Sequence, residues 1–297
     1  MLRFGIPVLF VLIWSTGFIV AKAVSPHVDL QLFLTARFTL TALVMGLGAL
    51  AMGARWPRGK ELGPHLLAGV LMQGVYLCAS YWAIARGMAA GVMALLGALQ
   101  PLFTALYLVV AVGTKLGTRT WVGLVIGFAG VALVLAPKLA ITGVGSLTVL
   151  PVTAALLSVI AITAGALVQK WLASADIRAA ASIQNVGGAA VAVLFTVVGG
   201  NEHWDNTPIL WGALAWAVLV PSVIGTTLLI WMMRKGDAAK VTALILLVPP
   251  LAAVQAYAFF GERLSPVQFV GFAFALAGVL LARSTPRRSP PAQPERT

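Results

Sequence analysis

The chain has 297 residues, of which 60% are hydrophobic and 9% charged, with a mean hydropathy of +0.98. A soluble domain carries about 25% charged residues, so this chain lacks the polar surface that a water-soluble fold requires. Its formal net charge of +12 is scattered through short segments between apolar runs, which reads as a topology signal and speaks against a nucleic-acid partner.

Ten apolar blocks follow one another: Phe4 to Ala23, Leu30 to Gly53, Pro64 to Ala85, Met88 to Val112, Thr120 to Pro137, Thr148 to Gln169, Ala179 to Gly199, Pro208 to Met233, Ala238 to Phe260 and Pro266 to Leu281. Each approaches or exceeds the ~18 to 20 residues that a helix needs to cross about 30 Å of hydrocarbon. The expected fold class is therefore an all-α integral membrane protein with ten transmembrane helices. The first block, preceded by Arg3 and carrying Ala21-Lys22-Ala23, imitates a cleaved leader. Its apolar run is longer than a leader's and further spans follow at once, so it reads as a retained span. Cys78, the single cysteine, lies inside the third block as a packing residue.

Of the 20 Lys and Arg, fifteen fall on one side if the N-terminus is cytoplasmic, and four (Lys22, Arg86, Lys138, Arg263) on the other; Arg37 stays inside the second span. This bias predicts both termini in the cytoplasm, in a multi-pass protein of the cytoplasmic (inner) membrane. The residues after 284, rich in Pro and Arg, read as a disordered basic tail.

The chain contains a repeat. A shift of 149 places Gly87, Ala89, Ala90, Val92, Ala94, Leu95 and Pro101 on Gly236, Ala238, Ala239, Val241, Ala243, Leu244 and Pro250, and Trp82 on Trp231. A shift of 148 places VGLVIGFAGV, from Val122, on VGFAFALAGV, from Val270. The expected organisation is one five-helix repeat over 1–137, a second over 138–284, and the tail over 285–297. Five being odd, the second repeat enters from the opposite face, so the two are expected to be inverted, an arrangement suited to alternating access.

Pro101, Pro221, Pro249 and Pro250 lie near mid-span, where a proline lacks a donor and leaves the carbonyl four residues back, such as that of Gly97 or Leu246, without its bond. Such carbonyls need protein or a wet cavity, so these positions are expected to face the interior as helix breaks or gates.

Stretches of the sequence resemble the EamA family of the drug/metabolite transporter superfamily: WSTGFIVAK, ARFTL, YWAIARGMAAGVMALLGALQPL and GDAAKVTALILLVPPLAAVQAYAFFGERLS. The resemblance implies ten helices, cytoplasmic termini, a central cavity between halves and export of small metabolites. The acid of the GERLS turn has no counterpart in Gly113-Thr114-Lys115-Leu116.

Polar groups at mid-depth suggest the substrate path. Gln73, Tyr76 and Ser80 have the spacing of one helix face. Ser222 and Thr226 repeat that relation, and Trp14, Ser15, Gln100 and Ser158 complete the expected ring. Arg37 is the one charge well inside a span, with holding helix ends and touching substrate both open as roles. No Asp, Glu or His sits in mid-span, which disfavours a carboxylate proton relay, and no catalytic residues, metal ligands or cofactor motif are recognisable. The expected partners are the lipid bilayer and a small-molecule substrate, with the oligomeric state open. An amphipathic metabolite, an amino acid or a relative, suits amides, hydroxyls and aromatic rings; a multidrug or quaternary amine exporter and a channel-like pore are the alternatives.

Overall fold

The computed structural model describes residues 2–139, 149–170, 172, 175–199, 203–228, 232 and 245–282. Among these the chain is helical, apart from turns, loops and one isolated antiparallel bridge between Val28 and Trp204. Eight helical stretches are long and apolar enough to cross a membrane: Ile6–Val24, Leu30–Ala51, Gly59–Ala85, Ala90–Val110, Thr118–Ala136, Val149–Lys170, Ile177–Gly199 and Pro208–Leu228. They coincide with the first eight expected spans. Two shorter apolar helices follow, Val248–Phe260 and Pro266–Ala282; the start of the ninth expected span, with Trp231 and Lys235 just before it, lies outside the described residues.

The helices are α1 (Leu2–Ser15), α2 (Gly17–Val24), α3 (Leu30–Ala51), α4 (Leu62–Gly69), α5 (Tyr76–Ala85), α6 (Ala90–Gly97), α7 (Gln100–Val110), α8 (Thr118–Leu139), α9 (Val149–Lys170), α10 (Ile177–Gly199), α11 (Pro208–Ala217), α12 (Val248–Phe260) and α13 (Pro266–Ala282). Their ends follow local chemistry. Asp29 caps α3 by accepting from the amides of Gln31 and Leu32 at 2.8 and 3.2 Å. Asp176 does the same for α10 through the Arg178 amide at 2.9 Å, and the Arg178 side chain bonded to it holds its carboxyl below the usual carboxylate range. Thr207 caps α11, where Pro208 occupies the first turn and its missing N–H costs nothing. Gly261 ends α12 at φ 66°, a left-handed conformation that glycine alone adopts without strain.

Several spans are interrupted. Thr16 separates α1 from α2, Ala98–Leu99 separates α6 from α7, and Leu246–Leu247 precedes α12. Two wide-turn π segments, Val70–Val75 between α4 and α5 and Val218–Gly225 after α11, interrupt the third and eighth spans. The prolines were expected as helix breaks, and Pro101, Pro249 and Pro250 stand in the first turns of helices that restart after an interruption, where no intrahelical N–H is required. Pro221 lies inside the second π segment. The nitrogen of Pro221 offers nothing to the Ala217 carbonyl four residues back; the π turn bridges that position, and the carbonyl also accepts the Ser222 hydroxyl at 2.8 Å.

The two parts of the chain pack crosswise. α8 lies along α13, α3 along α10 and α6 against α12; the α4-π-α5 span meets α9 and α10, while α11 and its π segment meet α1, α2 and α3. Phe33, Phe38, Tyr81, Met93, Leu95, Leu99 and Leu102 are fully buried at the centre, and Leu47, Val110, Val125, Val198, Phe259 and Phe269 stand exposed outside. An apolar belt around a filled core is what a lipid surround requires.

Glycine sets the closest approaches. A Cβ on Gly130 would lie 2.6 Å from the Gly271 carbonyl oxygen of α13, and one on Gly187 of α10 would lie 2.6 Å from that of Leu66 in α4. Without aqueous drive between helices in lipid, backbone proximity of this kind supplies the van der Waals contact. Gly130→Ala is expected to lower detergent-solubilised stability by roughly 1 to 3 kcal/mol. Gly48→Ala, where nothing lies within 4 Å of the added carbon, should be neutral or stabilising; equal thermal midpoints for the two variants would contradict this assignment.

Candidate functional site

Two polar constellations join the two parts of the chain. The first surrounds Arg37, which projects from α3 and is 7% exposed. One terminal nitrogen donates to the Tyr81 hydroxyl of α5 at 3.1 Å. Nη2 and Nε donate to the Ser222 hydroxyl at 3.2 and 3.4 Å. Both acceptors are themselves oriented: Tyr81 donates to the Gly17 carbonyl at 2.9 Å, beside the Thr16 break, and Ser222 donates to Ala217. With each hydroxyl proton committed to a carbonyl, each oxygen turns a lone pair to the guanidinium. Nearby, Trp216 donates to the Thr16 hydroxyl at 3.1 Å, holding α11 against the interrupted first span.

The second constellation lies at the end of the bundle that carries Lys22. Glu262, in the turn after α12, pairs with Lys22 at 3.5 Å and accepts the Ala90 amide, the first of α6, at 3.1 Å. A carboxylate at a helix N-terminus meets unsatisfied amides and the positive end of the helix dipole. A cleft of about 240 Å³ opens here, bordered by Lys22, Gly91, Glu262 and Gln268 among others. At the same end the Asp29 amide donates to the His203 carbonyl at 2.9 Å and the Asp205 amide to that of His27 at 2.8 Å. The loop after α2 is thereby tied to the loop before α11.

The other sequence-predicted residues divide. Trp14 lies against Gly225 of the second π segment, and Thr226 follows directly, half-buried. The Tyr76 hydroxyl stands by Gly97, the end of α6, and its ring meets Phe18 edge-on at 6.3 Å. Gln100 and Pro101 open α7 just beyond, both half-buried; Pro221 and Pro249 are buried and Pro250 half-buried. Ser80 is fully buried with no hydrogen-bond partner for its hydroxyl. Ser15 and Ser158 bond inside their own helices, to Leu12 at 2.9 Å and Ala155 at 2.6 Å. Gln73 lies within the first π segment with its Cβ against Gly188 of α10, and the wide turn there breaks the helical register on which a single stripe with Tyr76 depends.

Comparison with known proteins decides the class. The model of the EamA-like transporter family matches residues 4–136 and again 149–284. The chain belongs to this family. A probable terminal-alkyne amino-acid exporter of Streptantibioticus cattleyicolor is 26% identical over 92% of this chain and 91% of its own length. An uncharacterized transporter of Archaeoglobus fulgidus is 28% identical over 73% of this chain and 75% of its own. A solved crystal structure superposes with a TM-score of 0.66 and 20% identity, covering 94% of this chain and 95% of that one, a likeness of fold.

This EamA protein is accordingly a multi-pass membrane transporter and not an enzyme. Two of its polar features escaped sequence reasoning. Tyr81, five residues after Tyr76, carries a phenol that meets the buried arginine. His65 lies in the first turn of α4, 2% exposed, with Nδ1 unpartnered. Among the described residues no group of His, Cys, Asp or Glu is arranged to hold a metal ion.

Glu262→Thr installs the residue type found at the related position, Thr114. It is expected to lower the thermal midpoint by the equivalent of about 1 kcal/mol through loss of the α6 cap. High salt should narrow the difference only in part, because screening reaches the Lys22 pair more than the amide bond. Thermal unfolding of both proteins at low and high ionic strength tests this; identical midpoints at low salt would assign the contact no energetic role.

Proposed function

We propose that the protein is a secondary transporter of ten spans in two inverted five-helix halves, carrying a small amphipathic metabolite outward across the cytoplasmic membrane by alternating access. The observation that carries this reading is the correspondence of interruptions. Under the 149-residue shift, Val70–Val75 falls within Val218–Gly225, and the Ala98–Leu99 break falls within one residue of Leu246–Leu247. The double family match and the crosswise packing point the same way: α8 with α13, α3 with α10 and α6 with α12 each join related spans. Two related bundles with breaks at related depths can exchange conformations around a midplane site.

The proposed cargo is an amino acid or a close relative. Similarity to the probable terminal-alkyne amino-acid exporter supports it. So does the chemistry near the breaks, where Trp14, Tyr76, Gln100, Ser222 and Thr226 offer rings, an amide and hydroxyls. In this reading both termini are cytoplasmic, and the Lys22 end faces outward.

Two experiments test these statements. Purified protein is screened by thermal shift against the standard amino acids, a terminal-alkyne amino acid, organic anions, nucleosides and quaternary amines, since a ligand of the folded state raises its stability. Hits proceed to counterflow in proteoliposomes. Stabilisation and saturable counterflow by amino acids are expected; a response confined to quaternary amines would replace the cargo, and flux without saturation would replace the carrier by a pore. For orientation, Cys78 is replaced and single cysteines are placed at Asn201 and Ser289. An impermeant reagent on intact cells should label the first position and not the second; the reverse pattern would invert the topology.

A further inference from the structure

Arg37 poses a question that packing does not answer. It is a permanent cation inside a span, 7% exposed, and among the described residues no carboxylate pairs with it. Its partners are the neutral hydroxyls of Tyr81 and Ser222. An intramembrane charge is costly and is normally met by an opposite charge or used in a substrate path. Two neutral acceptors orient a guanidinium without neutralising it.

The arrangement also divides between the parts of the chain. Tyr81 belongs to the same half as Arg37, whereas Ser222 lies 185 residues away on the π segment that follows α11. Any opening between halves at this depth withdraws Ser222 and leaves Nε and Nη2 without an acceptor. Those two nitrogens form the side-on edge that a carboxylate meets with two parallel bonds. A carboxylate would supply both the missing acceptors and the missing charge. Trp14 lies against Gly225, three residues along from Ser222, so an aromatic ring packs on the same π segment. The related position across the 149-residue shift has no such character: Gln73, the counterpart of Ser222, faces Gly188. Val186, the residue related to Arg37 by the same shift, is uncharged, so the two halves differ at this position.

Building on the amino-acid reading of the cargo, we propose that Arg37 is the carboxylate-binding residue of the transport site, and that Ser222 is a placeholder which occupies its Nε/Nη2 edge when no cargo is bound. Tyr81 holds the guanidinium in position throughout, anchored on the Gly17 carbonyl. The recognised class is an α-amino or other small carboxylic acid, and the corresponding carboxamide is refused for want of charge.

The test uses matched ligands. Wild type, Arg37→Gln, Arg37→Lys and Ser222→Ala are purified, and binding of each stabilising standard amino acid and of its carboxamide is measured by thermal shift and by competition in counterflow. Wild type should prefer the acid to the amide by at least tenfold. Arg37→Gln should lose that preference while keeping its weak amide binding, and Arg37→Lys should retain part of it. A folded Arg37→Gln with the wild-type acid-to-amide ratio would overturn the proposal. If Arg37→Gln does not fold, Ser222→Ala decides. Removal of the placeholder should tighten acid binding relative to amide; an unchanged ratio would mean that Ser222 does not compete for this edge, and the proposal falls. A wild type that binds amino acids and their amides equally overturns the subsite while leaving the amino-acid cargo intact, whereas a wild type that binds only quaternary amines removes the cargo reading itself.

Discussion

A carbonyl deprived of its helical donor inside hydrocarbon must find another donor or stay in water, and much of this structure depends on how one such carbonyl is treated. Pro221 offers the Ala217 carbonyl no N–H, the wide π turn passes over the gap, and the Ser222 hydroxyl adds its own bond to that carbonyl. That fixes the direction of the serine proton and frees the oxygen to accept from Arg37. The guanidinium then reaches Tyr81, and Tyr81 reaches Gly17, beside the Thr16 interruption. Two interruptions on different spans, the second π segment and the Thr16 break, are thus joined through one cation. Irregular backbone at membrane depth is tolerated here because side chains from neighbouring helices complete it.

The close helix pairs have a different physical basis. Where α8 meets α13, neighbouring glycines bring backbone against backbone, so that a single added methyl on Gly130 has no room. The α8–α13 seam joins two continuous helices, whereas the Arg37 cluster ties continuous α3 to interrupted spans through Tyr81 and Ser222.

Much of the fold was legible. Eight apolar runs of sufficient length coincide with eight helices, because hydrocarbon thickness translates directly into residue number. Pro101 and Pro249-Pro250 marked real breaks, since a missing N–H is a local property. What was hidden depended on partners distant in sequence. The break at Thr16 carries no proline. The first π segment lies where Gly69 and Gly74 admit Gln184 and Val191 of α10, which composition of the third span alone does not reveal, and it moved Gln73 off the expected stripe. The pairing of Arg37 with a serine 185 residues on, and that of Glu262 with an amide 172 residues back, are properties of the assembled bundle. The candidate site was accordingly read as a set of residue types at a common depth, and its connectivity was not.

The Glu262 tether bears on energetics in a further way. Two identical halves in opposite orientation would give a carrier two mirror-related conformations of equal energy, each populated half the time in the absence of cargo. Thr114 stands where Glu262 has its counterpart, so on the proposed inverted arrangement the acid that reaches Lys22 and Ala90 is a tie that the related position, lacking an acid, would not repeat. Such a tie would break the degeneracy with a side chain outside the proposed cargo path. A difference of about 1.4 kcal/mol in such a contact is tenfold in population, so in a carrier of the proposed kind it would set the side on which the empty molecule waits.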